Sequence, residues 1–152
     1  MAWLDEGQPD VLALQELKCV EDSFPRLEFE AKGYKAVITG QKTYNGSAIL
    51  SRLPIDDPMV GLPGDDSDEQ ARYVEATING VRIASIYLPN GNPVGTEKFP
   101  YKIGWMKRLY ARAAELAATG EPVALLGDFN IIPTDADCYD PKAWDGDALT
   151  RP

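Results

Sequence analysis

The spacing of apolar and polar residues divides the chain into short strands and one long helix. Two continuous apolar runs, Val11–Leu14 and Val123–Leu126, are typical of buried strands, the first on both of its faces. Glycine, proline and asparagine residues separate the remaining apolar runs. The predicted strands are approximately Val11–Gln15, Tyr34–Gln41, Ser47–Ser51, Arg72–Ile78, Val81–Tyr87 and Pro122–Leu126, with a short edge strand near Met59–Val60.

The clearest local signal is a hairpin. Residues 72–78 and 81–87 alternate in polarity, and Asn79-Gly80 between them supplies the two positive φ angles that a two-residue turn needs. A short helix is predicted to begin near Ser23-Phe24-Pro25 and to end near Gly33.

A long helix is predicted over about Phe99–Thr119, with Gly120 as its C-terminal stop. The residues predicted to share its apolar face are Ile103, Met106, Tyr110, Ala113 and Ala117. We interpret Trp105 and Trp144 as core or interface aromatics.

Length and composition favour one soluble globular domain. The chain has 152 residues, 44% hydrophobic and 26% charged, and it contains no apolar run near the ~20 residues that span a bilayer. Because no secretory signal precedes Cys19 and Cys138, we expect reduced thiols and a cytoplasmic location. A net charge of −9 argues against binding nucleic acid by bulk electrostatics alone.

Two predicted strands end in acidic residues. The first runs into Glu16, and the last runs into Asp128 and Asn130. Neighbouring strands would aim these oxygen ligands at one point, and Mg²⁺ needs only one or two protein carboxylates together with substrate phosphate. The pattern therefore favours a site for a hard divalent cation.

Several short motifs follow one another in an order that resembles the exonuclease III branch of the endonuclease/exonuclease/phosphatase superfamily. The resemblance covers nearly the whole chain. The motifs are Leu14-Gln15-Glu16-Leu17-Lys18, Gly40-Gln41-Lys42, Asn45-Gly46-Ser47-Ala48-Ile49-Leu50-Ser51-Arg52, Tyr87-Leu88-Pro89-Asn90-Gly91, Lys98-Phe99-Pro100-Tyr101-Lys102 and Gly127-Asp128-Phe129-Asn130.

This resemblance implies an α+β fold, a two-layered β-sandwich flanked by helices in four layers, α/β/β/α. It also implies Mg²⁺- or Mn²⁺-dependent hydrolysis of phosphodiesters at abasic sites and 3′ ends of double-stranded DNA. Glu16, Asp128 and Asn130 would form the metal site. Asp128 would position or activate the attacking water, or protonate the leaving group; Asn130 and Tyr87 would hold the phosphate.

Four basic residues are candidates for contacts with DNA phosphates. Lys18 follows the Glu16 motif, and Arg72 opens a strand. Lys98 and Lys102 lie where a loop meets the long helix. A solvated surface charge is the competing interpretation for each of them.

The chain also departs from the family. It contains no histidine, whereas the family pattern has a Ser-Asp-His motif and an N-terminal strand with a metal-binding asparagine. We therefore expect residues 1–152 to be a single incomplete nuclease domain that is inactive alone. A monomer is our default expectation for its oligomeric state. A phosphatase or phosphodiesterase of the same superfamily, and a non-catalytic binding domain on the same scaffold, remain the alternatives.

Overall fold

The computed structural model describes residues 2–151, which form seven strands and three α-helices. The helices are α1 (Ala2–Gly7), α2 (Arg26–Glu30) and α3 (Lys98–Ala118). The strands are β1 (Val11–Gln15), β2 (Lys35–Thr39), β3 (Ser47–Ser51), β4 (Asp56–Val60), β5 (Tyr73–Ile78), β6 (Val81–Tyr87) and β7 (Val123–Asp128). All the predicted strands are present, whereas the helix α2 is shorter than predicted.

The strands form two sheets. The first has the order β1-β3-β2 and is antiparallel throughout. The second has the order β4-β5-β6-β7, in which β5 and β6 form the predicted hairpin and β6 pairs in parallel with β7. The parallel pairing continues to Tyr87 and Asp128, so β7 extends two residues beyond its predicted end at Leu126.

Three apolar clusters separate four layers. Ile49 of β3 packs with Val74 and Ile83 between the two sheets. The outer face of the first sheet packs against α1 and the α2 segment through Leu4, Phe24 and neighbouring side chains. The outer face of the second sheet packs against α3. The order of layers is therefore helix, sheet, sheet, helix, which confirms the α+β sandwich that the resemblance implied.

The prediction that β1 is buried on both faces was wrong. All five of its residues are only partly buried, and β7 is exposed from Leu126 onward. Among the described residues these two strands end their sheets. A strand at the end of a sheet has a neighbour on one side only, so an apolar sequence there does not produce full burial.

The predicted apolar face of α3 was also wrong, by one residue. The buried positions are Lys102, Trp105, Leu109 and Leu116, and the predicted Tyr110 is 79% exposed. One residue corresponds to a rotation of about 100°. The error arose because Lys102 was counted among the solvated charges. Within residues 2–151, no helix combines the length and apolar character needed to cross a membrane.

Candidate active site

The candidate site lies at one end of the sandwich, where β1, β6 and β7 finish. Gln15 ends β1, Tyr87 ends β6, and Tyr87 is the register partner of Asp128 at the end of β7. Because side chains alternate along a strand, Tyr87 and Asp128 lie on the same inner face as Ser85. The loop that carries Glu16 begins directly after Gln15.

A buried hydrogen-bond network joins the two sheets beneath this end. The Gln15 amide donates to the Ser85 hydroxyl over 2.9 Å, and the Ser47 hydroxyl lies 2.8 Å from the Ser85 hydroxyl. Ser85 also donates to the carbonyl of Leu14 over 3.2 Å. Both serines are fully buried. The network therefore sets the position of Glu16, one residue beyond Gln15, relative to Tyr87, two residues beyond Ser85.

Glu16 itself stands on a left-handed backbone. Its φ is 54°, and Lys18 has the same value. Such angles are unfavourable for residues other than glycine, asparagine and aspartate. The segment is held by the Lys18 amide, which donates to the Asn45 carbonyl over 2.9 Å. A Cβ on Gly46 would lie 2.7 Å from the Leu17 Cβ, so only glycine permits this close approach.

The Glu16 carboxylate is exposed and paired. It forms an ion pair with the Lys18 ammonium over 2.8 Å, with 43% of the Glu16 side chain accessible. The hydrogen bond from Lys18 is the main cause that lowers the pKa of Glu16, aided by Tyr87 and Arg72. Glu16 is therefore an ionised carboxylate that faces solvent.

The Tyr87 phenol lies near both the Glu16 and the Asp128 carboxylates. Burial is the main cause that raises the pKa of the Tyr87 phenol, and the Glu16 and Asp128 carboxylates both add to the increase. The Arg72 guanidinium lies over the ring, 4.7 Å from its centroid, and donates to the Tyr87 carbonyl over 3.2 Å. Tyr87 therefore remains a neutral hydrogen-bond donor at physiological pH.

Asp128 and Asn130 hold each other. The Asn130 backbone amide donates to Asp128 Oδ1 over 2.9 Å, and the Asn130 side-chain amide donates to Asp128 Oδ2 over 3.3 Å and to the Leu88 carbonyl over 2.8 Å. Asn130 has a φ of 47°. Its Oδ1 has one long contact, 3.5 Å from the Asn90 amide. The oxygen atom is thus the part of the Asn130 side chain that is available to a ligand.

The two lysines of the loop–helix junction differ in solvent exposure. Lys98 is the first residue of α3 and is exposed, as a DNA contact requires. Lys102 is 2% exposed and donates to backbone carbonyls. Lys102 is therefore neither a DNA contact nor a solvated charge, the two interpretations offered from the sequence, because its ammonium is directed into the protein.

The donor set fits a divalent cation that uses few protein ligands. Across residues 2–151, no three His, Cys, Asp or Glu side chains come close enough to hold a metal by themselves. Mg²⁺, however, requires only one or two carboxylates and completes its shell with water and phosphate oxygens. The exposed, ionised Glu16 meets this requirement, and Asp128 and the Asn130 oxygen are additional oxygen donors. Their joint binding of one cation stays a prediction.

Sequence reasoning missed the groups that support the site from behind. The serine network and the role of Lys102 depend on partners far away in the chain. One signal was present for Lys102: it lies three residues before Trp105 and seven before Leu109, which is the spacing of one helix face.

Comparisons with known proteins support the fold and the family resemblance. A model of the endonuclease/exonuclease/phosphatase family matches residues 1–151. The chain is 32% identical over 144 residues to exodeoxyribonuclease III of Haemophilus influenzae, covering 90% of this chain and 53% of that protein. It spans about half the length of the curated relatives it matches.

Solved structures with a similar fold include the following two. A 3′ phosphatase from Neisseria, bound to a product DNA hairpin, has a TM-score of 0.88 and 43% identity, covering 94% of this chain and 56% of that one. An AP endonuclease from Archaeoglobus fulgidus has a TM-score of 0.90 and 32% identity, covering 97% of this chain and 57% of that one.

Proposed function

Because this chain belongs to the endonuclease/exonuclease/phosphatase family, we propose that it is part of a metal-dependent DNA-repair nuclease. The substrate is double-stranded DNA, and the bonds hydrolysed are phosphodiesters at abasic sites and 3′ ends. The observation that carries the proposal is the meeting of Glu16, Tyr87 and the Asp128–Asn130 pair at one end of the sandwich. Relatives named for exodeoxyribonuclease III and AP endonuclease activity support it.

The residue types suit phosphodiester hydrolysis. The reaction places negative charge on the phosphate oxygens and on the leaving oxygen, and neutral donors stabilise this charge without competing for a cation. Tyr87, whose raised pKa keeps its proton, donates a hydrogen bond to the phosphate. Asp128 orients the attacking water or protonates the leaving oxygen. The Asn130 side-chain amide exchanges its long 3.3 Å bond to Asp128 for a hydrogen bond to the phosphate.

Glu16 holds Mg²⁺ or Mn²⁺ in this proposal, with Asp128 and the Asn130 oxygen as further ligands. The bound cation supplies Lewis-acid stabilisation of the phosphate charge. Lys18, already paired with Glu16, lies where it can exchange that partner for a DNA phosphate. Arg72 and Lys98 supply the other phosphate contacts, and their positive charge offsets the net charge of −9 locally.

The proposal includes the inactivity of residues 1–152 alone. The chain has no histidine, so a histidine acid or base must come from elsewhere. We expect no detectable cleavage of an abasic-site duplex by this chain at physiological Mg²⁺. Cleavage that Asp128→Asn abolishes would refute this part of the proposal. A monomeric state and a cytoplasmic location also belong to the proposal.

The test of function uses the natural gene product that carries these residues. Cleavage of an end-labelled duplex with one abasic site is measured with Mg²⁺ for the wild type, Glu16→Gln, Asp128→Asn and Tyr87→Phe. We expect Tyr87→Phe to lose about 10²–10³-fold in rate, the typical cost of one donor in a closed site, and the carboxylate variants to lose more. Glu115→Gln, which changes a 65% exposed carboxylate on α3, is the matched control. Unchanged cleavage by both Glu16→Gln and Asp128→Asn would refute the assignment.

A second candidate is removal of a 3′ phosphate from DNA. It is favoured by the 43% identity to a Neisseria protein described as a 3′ phosphatase. A hairpin that ends in a 3′ phosphate, included in the same assay, separates the two activities by their products: inorganic phosphate from one and a shortened strand from the other.

A further inference from the structure

Lys102 is a buried cation that the proposed chemistry does not use directly. It lies in the first turns of α3 and is 2% exposed. Its ammonium donates to the carbonyls of Asn90, Asn130 and Ala148 over 3.2, 2.7 and 3.1 Å. All three donors of the ammonium are therefore satisfied. None of the ion pairs found among residues 2–151 involves Lys102.

The three carbonyls belong to three separate irregular segments. Asn90 lies in the loop after β6, Asn130 follows β7, and Ala148 belongs to the C-terminal segment. These segments lack the strand pairing that would satisfy their carbonyls. The loop after β6 is also packed against the lysine stem, because a Cβ on Gly91 would lie 2.7 Å from the Lys102 Cδ. One ammonium therefore joins three loops, two of which follow the strands that carry Tyr87 and Asp128.

The contact with Asn130 is the one that reaches the candidate site. Lys102 fixes the Asn130 carbonyl, while the Asn130 amide holds Asp128 Oδ1 and the Asn130 side chain holds the Leu88 carbonyl. The left-handed backbone of Asn130 is thus restrained from both sides. If the Lys102 donor were absent, this peptide could rotate and carry both candidate groups with it.

We propose that Lys102 is a positioning residue for the proposed reaction: it fixes the Asn130 peptide, and through it Asp128, and it places a positive charge behind a site that must receive phosphate. Burying an ammonium is costly, and that cost falls at a position where one ammonium satisfies three loop carbonyls beside the candidate site. Burial lowers the pKa of Lys102, while Asp147 and Asp128 act against that change. A charge retained at this cost fits a role at the site better than a role in packing.

The first experiment needs no DNA and uses the natural gene product that carries these residues. Amide hydrogen exchange is compared between the wild type, Lys102→Met and Leu109→Ala, the last of which removes a buried side chain two turns along the same helix face. We expect Lys102→Met to increase the exchange rate of the Asn130 and Ala148 amides, both of which are hydrogen-bonded in the wild type. This increase should exceed the increase in the β5–β6 hairpin by about 10–100-fold. Leu109→Ala should increase the exchange rates in all regions by a similar factor. A similar increase in exchange rate across all regions of Lys102→Met would overturn the proposal.

The second experiment measures the reaction and rests on the proposed function. In the natural gene product, we expect Lys102→Met to lower kcat on abasic DNA by about 10–100-fold, as for groups that support active-site ligands from behind, with little change in KM. Leu109→Ala should retain the wild-type kcat when it is assayed at a temperature below its own unfolding transition. A normal kcat in Lys102→Met would overturn the positioning role. A rise in KM alone would also overturn it, because that result would make Lys102 a DNA-binding residue.

The two arms separate the two possible failures. If the wild type cleaves no DNA, the proposed function fails, and the exchange arm alone decides whether Lys102 holds the loops. If Lys102→Met does not fold, Gly91→Ala takes its place, because its Cβ would push against the lysine stem where φ is +86°. We then expect the same local pattern at Asn130, and a uniform pattern would count against the proposal.

Discussion

Replacing Glu75 by glutamine should destabilise the attachment of α3 to the second sheet. Glu75 lies in β5, has no exposed surface, and accepts from Arg82 of β6, Arg112 of α3 and the Tyr73 hydroxyl. The Nε atoms of Arg82 and Arg112 lie 3.1 and 3.2 Å from its oxygens. Glutamine keeps the shape of the side chain but removes its charge, and it directs an amide group at two guanidinium groups.

The expected loss follows from the burial of the partners. Arg82 and Arg112 are only 16% and 20% exposed. Without Glu75, Arg82 would remain as a mostly buried charge with no counterion, and Arg112 would keep only its exposed partner Glu115. Breaking such a pair typically costs about 3–5 kcal/mol. Because water reaches part of both guanidinium groups, we take the lower value, about 3 kcal/mol. For a chain of this length, this corresponds to a decrease of about 6–12 °C in Tm.

The effect should depend on pH with a defined sign. Burial raises the pKa of Glu75, but the hydrogen bonds from Arg112, Tyr73 and Arg82 outweigh it, and the pKa is lowered overall from 4.5. A lowered folded pKa means that the stabilisation is complete above the unfolded pKa and is lost as the pH falls through the folded pKa. The difference between wild type and Glu75→Gln should therefore be largest near neutral pH and should shrink below about pH 4.5.

Urea unfolding at several pH values tests both parts. At neutral pH we expect the midpoint to fall by about 1–3 M, given the usual slope for small domains. Glu115→Gln removes the exposed partner of the same arginine and should cost less than about 1 kcal/mol. A loss below about 1 kcal/mol for Glu75→Gln, or a loss that does not change with pH, would refute the reasoning.

Three further outcomes follow from the structure. Ser85→Ala should cost about 1–3 kcal/mol in urea unfolding, because the buried network beneath the site loses its central hydroxyl; the exposed Ser67→Ala is the control, and equal losses would contradict the role of the network. Gly127→Ala should destabilise strongly, since a Cβ there would lie 2.0 Å from the Ile86 carbonyl at a φ of +142°, whereas Gly104→Ala in α3, which has open space, should stabilise by about 0.5–1 kcal/mol; thermal unfolding that ranks them in the opposite order would contradict this. Titration of the chain with Mn²⁺ should show weak binding that Glu16→Gln removes, and tight binding unaffected by Glu16→Gln would place the metal elsewhere.

The strand-end residues illustrate what could be predicted. Glu16 and Asp128 were identified because each ends or follows an apolar run whose periodicity is local, whereas Tyr87 was identified through the family resemblance of the motif Tyr87-Leu88-Pro89-Asn90-Gly91. Their common location then follows from the pairing of β6 with β7 and from the contact between β1 and β6. The hairpin turn at Asn79-Gly80 was predictable for the same reason, since positive φ angles depend on the residue itself.

Local pattern and motif order were therefore sufficient for the strands, the sandwich class and the identity of the candidate site residues. Tertiary structure alone decided which face of α3 is buried, where Lys102 and Glu75 find their partners, and how the two serines join the sheets. The physical reason is that a polar side chain is buried only where distant groups satisfy its hydrogen bonds and charge, and those groups are brought together by the fold rather than by the neighbouring sequence.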